Sequence, residues 1–235
     1  MWLTQVESDG FAILRDVLTP AEVSRALSLL NAYSSQLSAV GKAGARDVLD
    51  SIPDLRQFAW HPNVRTIVHQ VLGEAAFLVR ATLFDKTAIT NWKVPWHQDL
   101  TIAVKDREDV AGYGPWSVKA GVRHVQPPSE VLERMITVRL HLDPCGERNG
   151  ALRVMPGSHR VGRINQNHVA DYLCMHATTL CSAQPGDALV MRPLLLHASS
   201  ASARPMHRRV LHFDYAVGTL AGGLKWHMKT PATVG

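Results

Sequence analysis

From residue 76 to residue 216, the chain is a series of short apolar segments separated by turn-forming residues. The segment at 135–142 is typical, because Ile136, Val138 and Leu140 alternate with polar residues, which is the period of a β-strand. Similar segments lie at 76–84, 151–155, 188–191 and 210–216, and several are separated by Asn-Gly or Pro-Gly pairs. Strands and helices do not alternate, so the pattern predicts antiparallel sheets in a jelly-roll-like arrangement.

Helix signals are concentrated ahead of these strands. Thr19-Pro20 followed by Glu22 predicts a helix that runs to about Tyr33, and His61-Pro62 predicts a second helix that ends at Gly73. We expect an all-β core with flanking α-helices on one outer face. The sequence shows no linker or repeat, so we expect a single domain over 1–235, with a helical part at about 1–75 and a jelly-roll core at about 76–220.

Composition excludes several function classes. The formal net charge of +5 is modest and lacks the concentrated basic stripe of a nucleic-acid-binding protein. No apolar run is long enough for a membrane span, and the first residues lack the pattern of a signal peptide. Cys145, Cys174 and Cys181 are odd in number and widely spaced, so we expect free thiols in a reducing cytoplasm.

Histidine and aspartate two positions apart can bind one cation from an extended segment, because alternate side chains of a strand point the same way. The sequence contains three such pairs, His97/Asp99, His141/Asp143 and His212/Asp214. A pair alone is weak support for a metal site, and its context must decide. The second pair ends a strand at a turn, and the third lies close to the C-terminus.

His97 and Asp99 have the context that a metal site needs. They follow a predicted strand, and His197 lies far downstream, so the three can form a 2-His-1-carboxylate triad that leaves three positions of an octahedral iron open. Arg208 follows His197 by eleven residues and could bind a dicarboxylate in two-pronged fashion. Arg209 would take that role if the strand register shifted by one residue.

Motifs along most of the chain resemble the phytanoyl-CoA dioxygenase family of Fe(II)- and 2-oxoglutarate-dependent oxygenases. The matching segments are Asp9-Gly10-Phe11, Trp96-His97-Gln98-Asp99, Asn149-Gly150-Ala151-Leu152, Pro156-Gly157-Ser158-His159 and Gln184-Pro185-Gly186-Asp187, followed by His197 and Arg208. The resemblance implies a cupin-like double-stranded β-helix that uses Fe(II), 2-oxoglutarate and O₂. It also implies oxidation of a substrate with conversion of 2-oxoglutarate to succinate and CO₂.

The resemblance also implies roles for individual residues. His97, Asp99 and His197 would be the metal ligands and catalytic residues, and Arg208 would bind the distal carboxylate of 2-oxoglutarate. Ser199 matches a position that contacts this carboxylate in some relatives, although a turn hydroxyl is an equal alternative.

Arg80, Thr82, Thr137 and Arg139 alternate with apolar residues, and so share a face. If that face lines the mouth of the barrel, they would touch cosubstrate or substrate. Otherwise they are solvent-exposed.

Hydroxylation of a small molecule is the expected reaction, because halogenating relatives lack the carboxylate ligand that Asp99 supplies. Desaturation, cyclisation or epoxidation by the same oxidant is an alternative, and a cupin-like metal-binding protein without oxygenase turnover is another. Basic residues at Arg123, His124, Arg153, Arg160 and Arg163 would suit an anionic substrate, and a solvated surface explains them equally well. The stretch from Val104 to Pro128 is expected to be a long loop that shapes specificity. Oligomeric state is left open.

Overall fold

Antiparallel strands make up most of the protein in its computed structural model, which describes residues 1–33, 44–87, 90–203 and 207–232. The described strands are Phe11–Leu14 (β1), Ala45–Arg46 (β2), Phe77–Lys86 (β3), Val94–His97 (β4), Ile102–Val104 (β5), Trp116–Lys119 (β6), Val122–Val125 (β7), Met135–His141 (β8), Leu152–Val154 (β9), Thr179–Cys181 (β10), Ala188–Met191 (β11), His197–Ser199 (β12), Arg208–Ala216 (β13) and Thr230–Pro231 (β14).

These strands form three sheets. The major sheet has the order β1, β11, β8, β13, β3 and β14, with β2 also paired to β3. The minor sheet has the order β10, β9, β12 and β4, and a third sheet has the order β5, β7 and β6. Neighbours in the sheets are mostly distant in sequence, as expected of a jelly roll rather than of a simple series of hairpins.

Helices lie mainly in the first third of the chain. They are Trp2–Ser8 (α1), Pro20–Ala32 (α2), Val48–Ser51 (α3), Arg56–Ala59 (α4), Pro62–Leu72 (α5), Ser129–Glu133 (α6) and Val169–Met175 (α7), with 3₁₀ turns at Pro53–Leu55, Glu147–Asn149, Ser158–Val161 and Gln166–His168. A capping box between Thr19 and Glu22 begins α2, as the sequence predicted. The part expected to be helical also contributes β1 and β2 to the major sheet.

The two faces of the major sheet have different partners. Its outer face packs against the helices in one apolar cluster, in which Leu211, Phe213 and Tyr215 of β13 meet Val64 and Val68 of α5. This arrangement accounts for the alternation along β8 and β13, because every second side chain enters the helix-facing core. The helices therefore cover one outer face, as predicted.

The inner face of the major sheet faces the minor sheet. Leu189 and Met191 of β11 share a buried cluster with Leu152 and Val154 of β9. Polar side chains of β3, β8 and β13 occupy the same inner face beyond this apolar part. The interior between the two sheets is therefore part apolar and part polar, and the polar part is where the candidate site lies.

The stretch from Val104 to Pro128 does not form the predicted long loop. It contributes to the third sheet, in which β6 and β7 form a hairpin whose turn has positive φ at Ala120 and Gly121. The expectation was wrong because the strands are only three or four residues long and exposed positions include the apolar Val118, so no clear alternation marks them. Val104 and Val125 pack in an apolar cluster that also contains Trp226. The third sheet is therefore anchored to the rest of the protein by apolar packing.

Two smaller expectations can be compared with the structure. Cys145, Cys174 and Cys181 are free, as predicted. No helix in the described part of the chain is long and apolar enough to cross a membrane.

A candidate metal centre between two strands

Pairing between β4 and β12 places two histidines side by side. His97 is the last residue of β4 and His197 is the first residue of β12, and the register sets them directly opposite each other. Opposed residues of an antiparallel pair project from the same face, so both imidazoles point into the interior between the sheets. Their ring centroids are 4.3 Å apart.

Each imidazole is oriented by a carbonyl of its own chain segment. Nδ1 of His97 lies 2.9 Å from the Pro95 carbonyl oxygen, and Nδ1 of His197 lies 2.9 Å from the Leu195 carbonyl oxygen. A carbonyl can only accept, so both Nδ1–H groups donate and the protons lie on Nδ1. Both Nε2 atoms therefore present a lone pair, which is the form that binds a metal.

Asp99 completes a cluster of three ligands. Its backbone N–H donates to the Pro193 carbonyl oxygen at 2.9 Å, which ties the end of β4 to the loop before β12. Its carboxylate oxygens lie 3.9 Å from His97 Nε2 and 3.8 Å from His197 Nε2. All three ligand atoms lie within 4.8 Å of one another, and no other such cluster occurs among the residues that the structure describes.

The electrostatics keep these groups in metal-binding form. Burial acts to raise the pKa of the Asp99 carboxyl, but the protonated form of His197, present only at low pH, and the Arg80 guanidinium hold it below its usual value. Burial lowers the pKa of the His197 imidazole. At neutral pH the cluster therefore offers a carboxylate and a neutral imidazole, and no proton must leave either group before a cation binds.

Gln98 fixes the segment between the ligands. Its side-chain amide donates to the carbonyl oxygens of Leu194 at 2.6 Å and Gly162 at 2.8 Å, and its oxygen accepts from the Ile164 N–H at 2.8 Å. The side chain is 7% exposed. Three backbone groups from two loops are thus joined to the residue between His97 and Asp99.

A second feature of the interior is a group of buried cations. Lys86, Arg139 and Arg208 are 0%, 6% and 3% exposed, and none of them forms an ion pair with a carboxylate in the described part of the chain. Burial followed by the charge of Arg208 lowers the pKa of Lys86 to about 8 and that of Arg139 to about 10. Buried charges without counter-ions are costly, so this region favours an anion.

Several polar atoms there also lack a partner. Arg208 Nη1 donates to the Gly150 carbonyl oxygen, but Arg208 Nε has no hydrogen bond. Arg139 Nη1 donates to His212 Nδ1 at 2.8 Å, and Arg139 Nε has no partner. Both ring nitrogens of His141 are also buried without a partner. Buried donors of this kind are normally satisfied, so they are available to a ligand.

Ser199 lies beside these cations. Its Oγ accepts a hydrogen bond from Lys86 Nζ at 3.1 Å, and the same ammonium donates to the Ser200 carbonyl oxygen at 2.6 Å. Lys86 is the β3 residue opposite Arg208 in the sheet. Ser199 and Arg208, which the sequence suggested as cosubstrate residues, are thus connected through Lys86.

Arg209, the alternative to Arg208, points elsewhere. Its Nε and Nη2 atoms donate to the two oxygens of Asp143 at 2.8 Å each. This two-pronged ion pair occupies the guanidinium and also the carboxylate of one of the three His/Asp pairs.

Arg80 and Thr82 lie on the same inner face, nearer to Asp99. Arg80 Nε donates to Asp214 Oδ2 at 2.5 Å, and the other oxygen of Asp214 accepts from Thr137 and from His212 Nε2. The third His/Asp pair is therefore an internal hydrogen-bonded network and not a separate metal cluster.

Sequence reasoning missed some residues of this interior. Lys86 was not assigned a role, and His141 was considered only as part of a weaker His/Asp pair. Arg139 was placed on one face with Arg80 and Thr82, without a decision on whether that face lines the site. Alternation identifies a face, but it does not tell whether that face lines a site or meets solvent. No local signal distinguishes Gln98 from an ordinary polar residue.

Comparison with known proteins identifies one matching family. A profile of the phytanoyl-CoA dioxygenase (PhyH) family matches residues 6–210. No curated protein gives a significant sequence match.

Solved structures with a similar fold cover nearly the whole chain. The α-ketoglutarate-dependent carbocyclase SnoK from nogalamycin biosynthesis superposes with a TM-score of 0.70 at 15% identity, covering 92% of this chain and 83% of its own. EctD from S. alaskensis, crystallised with 2-oxoglutarate and 5-hydroxyectoine, gives 0.70 at 17% identity and covers 92% and 74%. A nickel complex of the non-heme monooxygenase ThoJ gives 0.69 at 20% identity and covers 99% and 86%. The fold is thus the predicted double-stranded β-helix.

The buried, unpartnered His141 predicts a pH-dependent stability. Burial lowers its pKa to about 3, whereas the unfolded chain has an ordinary histidine value near 6.5. Between these values the unfolded state binds the extra proton, so stability falls as pH decreases. The contribution is about 1.4 kcal/mol per pH unit.

We expect His141→Gln to remove this contribution, so that urea unfolding of the apoprotein depends less steeply on pH between about 6 and 4. His168→Gln, at an exposed position, is the control and should leave the slope unchanged. Equal slopes for wild type and His141→Gln would contradict the conclusion that burial lowers the pKa of His141.

Proposed function

This chain belongs to the phytanoyl-CoA dioxygenase family, and from that premise we propose that His97, Asp99 and His197 hold its Fe(II) and that Arg208 binds the distal carboxylate of 2-oxoglutarate. Family membership makes the chain a non-haem Fe(II)- and 2-oxoglutarate-dependent dioxygenase, the enzyme class that the motifs predicted.

The ligand set fits Fe(II). Two imidazole Nε2 atoms and one carboxylate from the pair β4 and β12 match the 2-His-1-carboxylate arrangement, which leaves three coordination positions free. The Nδ1–H groups of His97 and His197 already donate to carbonyls, so the imidazoles need no reorientation to receive a metal.

The buried cations fit a dicarboxylate, and this is the observation that carries the cosubstrate assignment. An anion next to Lys86, Arg139 and Arg208 would offset three positive charges that have no carboxylate partner in the described part of the chain. It would also accept from the unpartnered Nε–H groups of the two arginines. We assign Arg208 rather than Arg209, because Asp143 already occupies the Arg209 guanidinium.

Ser199 supports the same carboxylate in this proposal. Its oxygen accepts from Lys86, which leaves the hydroxyl hydrogen free to be donated to an anion. Arg80 is paired with Asp214, and its charge lowers the pKa of Asp99, while Thr82 lies on the same inner face. Their role in binding cosubstrate or substrate stays a prediction.

When bound, Fe(II) with 2-oxoglutarate and O₂ supplies the oxidising power, and 2-oxoglutarate becomes succinate and CO₂. The residues of the chain position these groups. Arg208 and Ser199 orient the cosubstrate, and Gln98 holds the ligand segment.

We propose hydroxylation of a small molecule as the reaction. Asp99 occupies the coordination position that halogenating enzymes of this type leave open to a halide. Desaturation, cyclisation and epoxidation need the same residues, and the similar structures include a carbocyclase. Substrate placement decides among these outcomes. Product mass separates hydroxylation or epoxidation, which add one oxygen, from desaturation or ring closure, which remove two hydrogens, and the loss or retention of a double bond separates the first two. A cytoplasmic location stays a prediction.

Succinate formation from 2-oxoglutarate tests the proposed function directly. We expect the purified protein, loaded anaerobically with Fe(II) and then given O₂, to form succinate slowly without its own substrate. His197→Ala should abolish this and weaken Mn(II) binding by at least about 100-fold, because it removes a ligand rather than a group that only orients one.

His168→Ala is the matched control, because this exposed histidine also has a neighbouring aspartate but lies outside the cluster. Metal binding without binding of 2-oxoglutarate would favour the non-oxygenase, cupin-like alternative.

Neighbouring arginines give a second test. Arg208→Ala should weaken 2-oxoglutarate binding by roughly 10- to 150-fold, which corresponds to the loss of a charge-assisted hydrogen bond worth about 1.5–3 kcal/mol. Arg209→Ala should leave this affinity unchanged and lower stability only, since it breaks the ion pair with Asp143. Calorimetric titration of 2-oxoglutarate into the two Mn(II)-loaded variants measures both affinities. The reverse result would assign the cosubstrate to Arg209.

A further inference from the structure

A second group of cations lies on the inner face nearer to Asp99. Arg46 of β2 pairs with Thr82 of β3, and opposed residues of a sheet share a face. The preceding pair, Ala45 and Leu83, enters the helix-facing core. Arg46 therefore projects inward, on the same side as Thr82.

Lys119 approaches the same space from the third sheet. Its Nζ donates to Thr101 Oγ1 at 3.0 Å, and Thr101 follows Asp99 by two residues. Lys119 is the last residue of β6, and it is half-buried like Arg46. The major sheet and the third sheet thus each contribute one cationic side chain whose charge interacts with Asp99.

The pKa shifts of these groups are consistent with the placement that the strand pairing and the Thr101 hydrogen bond give them. Burial lowers the pKa of Arg46 and that of Lys119, and the positive charge of Arg80 lowers both further. Burial also lowers the pKa of His124 to about 4, with further lowering by Lys119, Arg80 and Arg46. The groups are therefore close enough to repel one another.

Carboxylates nearby do not neutralise this group. Asp214 forms an ion pair with Arg80, and Asp99 is one of the three proposed metal ligands. Asp47 is adjacent to Arg46, but burial raises the pKa of its carboxyl, and no ion pair joins it to Arg46 in the described residues. Arg46 and Lys119 form no ion pair in the part of the chain that the structure describes.

We propose that Arg46 and Lys119 form a subsite that binds an anionic group of the substrate. This group would be a carboxylate, a sulfate or a phosphate. The subsite rests on the proposed function, because it assumes that Arg208 holds the cosubstrate. Thr82 and Lys86 are four residues apart on β3, which separates the two regions by roughly 13 Å along the strand. The substrate would thus be a small acid held by its anionic group beside the metal.

The test uses inorganic sulfate as the probe. Protein loaded with Mn(II) and saturated with 2-oxoglutarate is titrated with sulfate by calorimetry, so that the cosubstrate subsite is filled. We expect wild type to bind sulfate, and the double variant Arg46→Gln/Lys119→Gln to bind it at least about tenfold more weakly. Titrations with acetate and phosphate under the same conditions show which oxyanion the subsite prefers.

Arg123→Gln is the control, because this exposed arginine on β7 donates to the Lys105 carbonyl oxygen and its loss changes the net charge in the same direction. Unchanged 2-oxoglutarate affinity in the double variant shows that it has folded. Absence of sulfate binding to wild type, or equal weakening by Arg123→Gln, would overturn the subsite. Failure of 2-oxoglutarate itself to bind would instead overturn the proposed function on which the subsite rests.

Discussion

The register between β4 and β12 is the constraint on which the site depends. It sets His97 opposite His197, and a shift by one residue would turn one imidazole to the other face of the sheet. Asp99 is held in reach by the hydrogen bond from its own N–H to Pro193, and Gln98 ties the same segment to two loops. His197 thus joins two ligands that are 98 to 100 residues earlier in the sequence, and all three are held in place by backbone hydrogen bonds, so little reorganisation opposes metal binding.

Charge is distributed unevenly around that cluster. Lys86, Arg139 and Arg208 lie at one end of the inner face, and Arg46 and Lys119 lie nearer to Asp99. Keeping cations half-buried or buried without carboxylate partners lowers stability, and a fold tolerates this where an anion is bound. We infer that the two regions bind two different anions within one interior, one the cosubstrate and the other the acidic group of the substrate.

The sequence was sufficient to predict the fold class and the candidate ligands, because both rest on local patterns. Alternation identified β8 and β13, and the pair His97/Asp99 was distinguished from two similar pairs by His197 and Arg208 downstream. The roles of Lys86 and Arg46 could not be predicted, because they depend on which strands pair and on which face is enclosed. The strands β5, β6 and β7 were missed for a different reason, since strands of three or four residues without clear alternation resemble a loop.

Anomalous X-ray scattering at the iron edge tests the central claim most directly. Crystals grown anaerobically with Fe(II) and 2-oxoglutarate should show one iron bound by His97 Nε2, His197 Nε2 and an Asp99 carboxylate oxygen, at about 2.0–2.2 Å from each. The distal carboxylate of 2-oxoglutarate should lie against Arg208. Iron bound elsewhere, or a distal carboxylate held by Arg46 and Lys119 instead of Arg208, would contradict the account.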